Sequence, residues 1–197
     1  MTLARAKTKE EKQEKHQAII NAARELFEQN YSLPTVATIA KKSGQAKGTV
    51  YLYFPTKESI FLTLLQQHYK TWFSDIEQTL TNTHSLSTLL NCIVHSAAKD
   101  PLFFNLASLS CSTLEPAADP EFVIDYHQWF NEELLNIATL LNQQFSMLSK
   151  PHCLSLMTDS HALILGLWQQ NQKNGQYFFT EQATSALARL WKGYFAQ

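Results

Sequence analysis

From Ile60 to Leu80, apolar side chains return at three- and four-residue steps: Ile60, Phe61, Leu64, Leu65, Trp72, Phe73, Ile76 and Leu80. No glycine or proline interrupts this run of about 25 residues. Only a helix puts residues at that spacing on one face, so the chain is committed to one long helix able to join two parts rigidly. The rest of the sequence agrees. Five glycines and six prolines among 197 residues, against 45% apolar residues, disfavour a turn-rich all-β protein. The expected fold is all-α, with about nine helices: a small N-terminal three-helix domain and a C-terminal helical bundle.

The stretch Ala4 to Lys15 is rich in Lys, Glu and Gln and almost devoid of apolar residues, so its start is expected to be a mobile arm leading into a helix. From His16, the residues Ile19, Ile20, Ala23, Leu26 and Phe27 mark one buried face of a first helix ending near Asn30. Leu33 and Pro34 break the chain, and Thr35 stands as N-cap of a short second helix carrying Val36, Ile39 and Ala40. Gly44 closes that helix by taking a positive φ. Ala46 to Tyr53 forms a third helix, apolar at Val50 and Phe54 and stopped by Pro55, and Thr56 caps the next helix with Glu58 favouring its N-terminus. Later periodic stretches run over Leu86–Ala98, Pro101–Leu114, Glu121–Leu148, Leu154–Gln172 and Thr180–Phe195, separated by prolines and by Asn174-Gly175.

The formal net charge of -1 conceals an asymmetry: ten of the 16 Lys and Arg, with five acidic residues, precede residue 58. The first 57 residues thus carry about +5 and the remainder about -6, which points to a polyanion-binding end on an acidic body. Cys92, Cys111 and Cys153 stand too far apart for a zinc site and are odd in number for a disulfide framework. No catalytic motif, phosphate loop or metal-ligand spacing occurs, so no enzyme activity, cofactor or metal is expected. With a polar opening segment and no apolar run of about 20 residues, a cytoplasmic protein off the membrane is expected.

Two short helices joined by a glycine turn, braced by an amphipathic helix in the basic end, fit a helix-turn-helix. Residues 19–61, IINAARELFEQNYSLPTVATIAKKSGQAKGTVYLYFPTKESIF, further resemble the N-terminal domain of the tetracycline-repressor (TetR) family, with AARELF, TVATIA, AKGTVYLYF and TKE in order and spacing. The likeness covers about the first third of the chain. It implies a DNA-binding domain over residues 1–57, with the third helix in the major groove, and an effector-binding and dimerisation domain over residues 58–197. The residue chemistry suits those roles. Lys47 reaches a guanine edge or a phosphate, Gly48 permits close backbone approach, and Thr49 and Tyr51 offer groups to a base edge or phosphate. Tyr53 and Lys57 resemble the family's phosphate clamps, with Thr35 adding a hydroxyl. Gln45 stands where the family places a small apolar residue, so either it turns outward as a further reader or the turn packs differently.

A single short recognition helix contacts few base pairs, which favours a homodimer on a palindromic operator in double-stranded DNA. The resemblance places the two last helices at that dimer interface, with Met157, His161, Ile164 and Leu165 on one stripe and Leu187, Leu190, Trp191 and Tyr194 on the other. The alternative is that these stripes close each monomer's own core. Trp72, Phe103, Phe104, Tyr126, Trp129, Phe130 and Trp168, with Ser110 as a polar anchor, would suit a cavity for a small, largely apolar effector, although aromatics at helical spacing serve equally as core. The leading functional expectation is a TetR-like repressor released from its operator by such an effector. The alternative is a DNA-binding regulator whose C-terminal domain only dimerises or binds a protein partner.

Overall fold

A computed structural model describes residues 2–171 and 176–196, with side chains over 9–171 and 179–196. Its described residues form helices only: α1 (Thr2–Glu28), α2 (Val36–Ser43), α3 (Lys47–Tyr53), α4 (Lys57–Asn82), α5 (Leu86–Ala98), α6 (Pro101–Leu109), a π-helical turn (Ser110–Leu114), α7 (Glu115–Ala117), α8 (Pro120–Gln144), α9 (Lys150–Asn171) and α10 (Gln176–Phe195). Counting the contiguous run 101–117 as one, these are nine helices among the described residues. The expected ends at Gln172 and Asn174-Gly175 lie outside them.

The chain divides into two compact units, one of Met1–Gln66 with Leu109–Ile124, the other of Gln67–Ser108 with Asp125–Gln197. The first of these units runs past Lys57 to Gln66. The reason is that the first turns of α4 belong to the N-terminal unit, whose core takes Ile60, Phe61, Leu64 and Leu65 together with Ile19, Ile20, Ala23 and Phe27. Phe27 and Phe61 meet with ring centroids 5.6 Å apart.

The segment expected as a mobile arm is continuous with α1, whose helix starts at Thr2. Lys, Glu, Gln and Ala are among the best helix formers, and Glu11 and Lys15 stand in the favourable i,i+4 order, so the segment needs no buried face to be helical. α1 stops where Tyr31 takes a left-handed φ of 52° and its N–H donates to Phe27 O at 2.7 Å. Such a conformation is costly for a residue with a Cβ, and the edge-on contact of Tyr31 with Phe27, at 5.8 Å, helps to hold it. α4 begins as expected, because Thr56 Oγ1 accepts from the Ser59 N–H at 3.1 Å.

The helix expected over Pro101–Leu114 is α-helical only to Leu109. Pro116 has no N–H for the Ser112 carbonyl, so a regular α-helix cannot pass this point. The chain widens instead, and the Glu115 N–H bonds to Ser110 O, the five-residue spacing of a π-helix.

In the C-terminal unit α9 and α10 pack together and α5 packs on α10. The buried Trp191 indole donates to Ser160 Oγ at 3.0 Å, and the Ser160 hydroxyl in turn donates to Leu156 O at 2.6 Å, so neither polar group is stranded. Tyr69 stands in an aromatic cluster, edge-on to Phe103 at 4.9 Å and to Phe130 at 4.8 Å. Its hydroxyl shares a 2.7 Å hydrogen bond with His161 Nε2.

Burial among these rings lowers the His161 pKa from 6.5 to about 4. The folded state therefore holds this imidazole neutral, while the unfolded chain protonates it below pH 6.5. Stability from this site is fully present above pH 6.5, falls as pH drops towards 4, and is lost below that. The full loss is about 3 kcal/mol. Thermal melts across this range are expected to show a steeper decline for the native protein than for His161→Gln, whose side chain does not titrate. Parallel curves would contradict the burial of a neutral His161.

Candidate DNA-reading interface

α3 has only seven residues and would not hold a helix alone, so its geometry is set by what surrounds it. α2 ahead of it is held at both ends. Thr35 Oγ1 accepts from the Thr38 N–H at 3.2 Å and pairs with Thr38 Oγ1 at 2.9 Å. Gly44, with φ 67°, turns the chain while its N–H reaches the Ala40 and Lys41 carbonyls, and the Gln45 N–H returns to Ala40 O at 2.9 Å. This is a glycine-terminated helix end in which the orphan carbonyls are taken up by the turn. The Gln45 side chain, half-buried, folds back so that Nε2 donates to Ser43 O at 3.4 Å. It belongs to the turn rather than extending outward.

Val50 and Phe54 are 1% and 2% exposed and fix which way α3 faces. Phe54 stacks on His16 of α1 at 4.7 Å, and Tyr53 meets the same imidazole edge-on at 6.1 Å. Burial among these rings holds the His16 pKa below its ordinary value. With 100° per residue, burying positions 50 and 54 turns positions 48 and 52 away from the core and leaves 47 and 51 along one margin of the buried side. All four are exposed, Tyr51 at 47% and Leu52 at 85%.

The expected readers therefore separate. Lys47, Gly48 and Tyr51 lie on one outward stripe, and the Lys47 ammonium stands 5.9 Å above the Tyr51 ring. A Cβ added at Gly48 would meet nothing within 4 Å, so this glycine leaves open space on the outer surface. Thr49 and Tyr53 are half-buried at the flank. Lys57 opens α4 with its ammonium 3.5 Å from the Glu58 carboxylate, a partly buried pair at the long end of hydrogen-bond distance. Such a pair does not tie the lysine down. The Thr35 oxygen is occupied as a cap, which limits it to contacts its hydroxyl can make while capping. Leu52 is the residue that a search for hydrogen-bonding side chains overlooks. Its exposure leaves about 1.5–3 kcal/mol of hydrophobic burial unrealised in the free protein, and its position follows from the two buried residues by angle alone.

Two family descriptions match the chain: "Bacterial regulatory proteins, tetR family" over residues 19–64, and "Tetracyclin repressor-like, C-terminal domain" over residues 66–177. The chain belongs to the TetR family. The helix-turn-helix formed by α2 and α3 lies within the first of these matches. Over 58 residues it is 43% identical to the fatty acid metabolism regulator protein of Bacillus subtilis, spanning 29% of this chain and 30% of that one. Over 55 residues it is 40% identical to the regulator QacR of Staphylococcus aureus, spanning 27% and 29%. The chain thus matches less than a third of the length of these relatives. The crystal structure of Bacillus subtilis FadR in complex with stearoyl-CoA has a similar fold, with a TM-score of 0.62 and 22% identity over 88% of this chain and 96% of that one.

As in the TetR plan, the C-terminal unit is helical and rich in aromatics. Seven of the eight expected pocket residues come together there: Phe104 stacks on Trp168 at 4.8 Å and on Phe103 at 5.3 Å, Phe103 and Trp72 are 6.2 Å apart, and Trp129 links Tyr126 to Phe130. Ser110 does not join them. It lies in the π-helical turn of the other unit and donates to the Glu115 carboxylate at 2.7 Å. An open groove of about 640 Å3 runs instead beside α4 and α5, lined by polar groups that include Asp75, Asn91, His95 and Lys99.

The expected interface residues also divide. Met157, Ile164, Leu187 and Trp191 are buried within their own chain, and His161 is engaged with Tyr69. The first four thus pack in the core of their own chain, while His161 is only partly buried. Leu165, Leu190 and Tyr194 keep part of their surface, and Tyr194 donates to Asp159 at 2.6 Å. Among the described residues no helix is long and apolar enough to cross a membrane, and no group of His, Cys, Asp and Glu could hold a metal ion.

The turn at Gly44 yields a direct test. Because nothing lies within 4 Å of an added Cβ, Gly44→Ala meets only backbone strain, expected to cost about 1–2 kcal/mol. Gly44→Asn is expected to recover part of that loss in a thermal melt, since asparagine tolerates the left-handed region. Equal melting of the native and alanine proteins would contradict a left-handed Gly44.

Proposed function

We propose that this TetR-family regulator is a repressor that binds a palindromic operator as a homodimer and leaves it when a small, largely apolar effector binds the C-terminal unit. The observation that carries the DNA half is the outward stripe of α3, where Lys47, Gly48, Tyr51 and Leu52 are exposed while Val50 and Phe54 are buried. Lys47 and Tyr51 act as readers on this stripe, with Gly48 letting the backbone close on the groove and Thr49 at its flank. Tyr53, Lys57 and Thr35 anchor phosphates, and Gln45 shapes the turn.

The effector half rests on the aromatic cluster around Tyr69 and on the names of similar proteins. Rings at van der Waals spacing can part to admit an apolar chain at little chemical cost, whereas a polar guest would lose its hydration there. The Trp168 indole N–H is buried without a hydrogen-bond partner, so it is a place where an uncharged carbonyl oxygen would be favoured. A relative is named a fatty acid metabolism regulator, and FadR binds stearoyl-CoA. Fatty acyl compounds are therefore the first class to test. For the dimer, Leu165, Leu190 and Tyr194 with the exposed Ala162 supply the contacts, since their neighbours are spent in the core. The close mutual packing of the rings also favours a second reading, in which this unit is a solid core and the regulator has no small effector.

Gel shifts on DNA upstream of the protein's own gene test the regulator reading, which predicts a salt-sensitive, sequence-dependent complex. Lys57→Ala or Tyr53→Phe is expected to weaken binding to all sequences alike. Lys47→Ala is expected also to relax preference at one base-pair position in each half-site. An equal loss on operator and random DNA for Lys47→Ala would remove its reading role. Adding a long-chain acyl-CoA is expected to lower operator affinity by roughly 5–150-fold. An unchanged affinity with every acyl compound bound would leave the effector-free reading.

A further inference from the structure

We propose that Leu52 is a specificity-determining residue that reads the 5-methyl group of a thymine in the major groove. This rests on the operator-binding reading given above. Among residues of α3, Leu52 is the most outward-facing. Taking each residue as a 100° step, Val50 and Phe54 centre the buried side, and Leu52 falls opposite them. Its 85% exposure agrees, in a unit that otherwise buries Leu62, Leu64 and Leu65 to 0–1%.

Its neighbours define what it can meet. Gly48, one turn earlier on the same line, presents open space and no side chain, so α3 can approach a surface closely just beside Leu52. Lys47 and Tyr51 flank it on one side and Thr49 and Tyr53 on the other, so an apolar tip is ringed by cationic and hydroxyl groups. A protein-binding patch would be expected to continue the apolar surface, whereas this one is a single leucine in a polar frame. That frame suits the phosphates and base edges of a groove. The leucine suits the one apolar group the major groove displays, the thymine methyl. Leucine has no hydrogen-bonding group, so it cannot favour guanine or adenine by donor and acceptor pattern. Its selectivity consists of gaining burial from a methyl and offering nothing in return for a polar edge.

The test uses an operator selected from random duplex DNA with the full-length protein. Each thymine of a half-site is then replaced in turn by deoxyuridine, which keeps every hydrogen-bonding group and removes only the methyl. The native protein is expected to lose about fourfold in affinity at one thymine, or two neighbouring ones, per half-site. Leu52→Ala, which changes an exposed side chain and should melt with the native protein, is expected to lose that sensitivity while keeping the dependence on every other base pair. A deoxyuridine profile that is flat for the native protein, or unchanged in Leu52→Ala, would overturn the assignment. So would a change in oligomeric state, rather than in that profile, as the effect of Leu52→Ala. A selection that returns no preferred sequence would instead overturn the operator-binding reading on which the assignment stands.

Discussion

The orientation of α3 depends on the burial of two side chains. Val50 and Phe54 stand one turn apart and are both removed from water, Phe54 against the imidazole of His16. Each such burial is worth about 1.5–3 kcal/mol, far more than a seven-residue helix could supply from its own hydrogen bonds. Because the step between residues is fixed, this burial turns Gly48 and Leu52 away from the core, while Lys47 and Tyr51 stand exposed along its margin. The outward surface of α3 is thus the complement of a hydrophobic choice. α1 and α2 matter less as contacts than as the wall that makes the choice, and the caps at Thr35 and Gly44 set where α3 starts.

The same logic explains what could be read from the sequence alone. Thr35, Gly44 and Thr56 were legible because caps and left-handed turns are local chemistry, satisfied within three or four residues. The helix-turn-helix was legible because its spacing repeats a family pattern. The start of the Ala4 to Lys15 stretch is helical where a mobile arm was expected, because propensity without an apolar face carries α1 back to Thr2. The π-helical turn was hidden because periodicity does not show how Pro116 redistributes carbonyl bonds upstream. Leu52 was passed over for the opposite reason: a leucine is usually read as core, and its outward placement follows only once its neighbours are known to be buried.

Periodicity carries a further limit, visible in α9 and α10. It reports that Met157, Ile164, Leu187 and Trp191 share a buried face, but not whose core they enter. The indole of Trp191 settles this for its own helix, since its N–H is satisfied by Ser160 of the same chain. An apolar face can be covered once. Any two-fold surface built on these helices must therefore use their remaining sides, where Leu165, Leu190 and Tyr194 keep partial exposure.

The aromatic cluster poses the same question of one surface and two uses. Edge-on and stacked rings at 4.8–6.2 Å stabilise a solid core. A guest that enters must replace those ring contacts with contacts of similar strength, or the unit loses stability in proportion. A flexible methylene chain can do so, because dispersion is indifferent to whether the partner carbon is aromatic. A charged or strongly hydrated guest cannot, and the lowered pKa of His161 shows how strongly these surroundings resist charge. The chemistry of the cluster thus restricts any guest to an apolar one, and the restriction follows from the same burial that makes the unit fold.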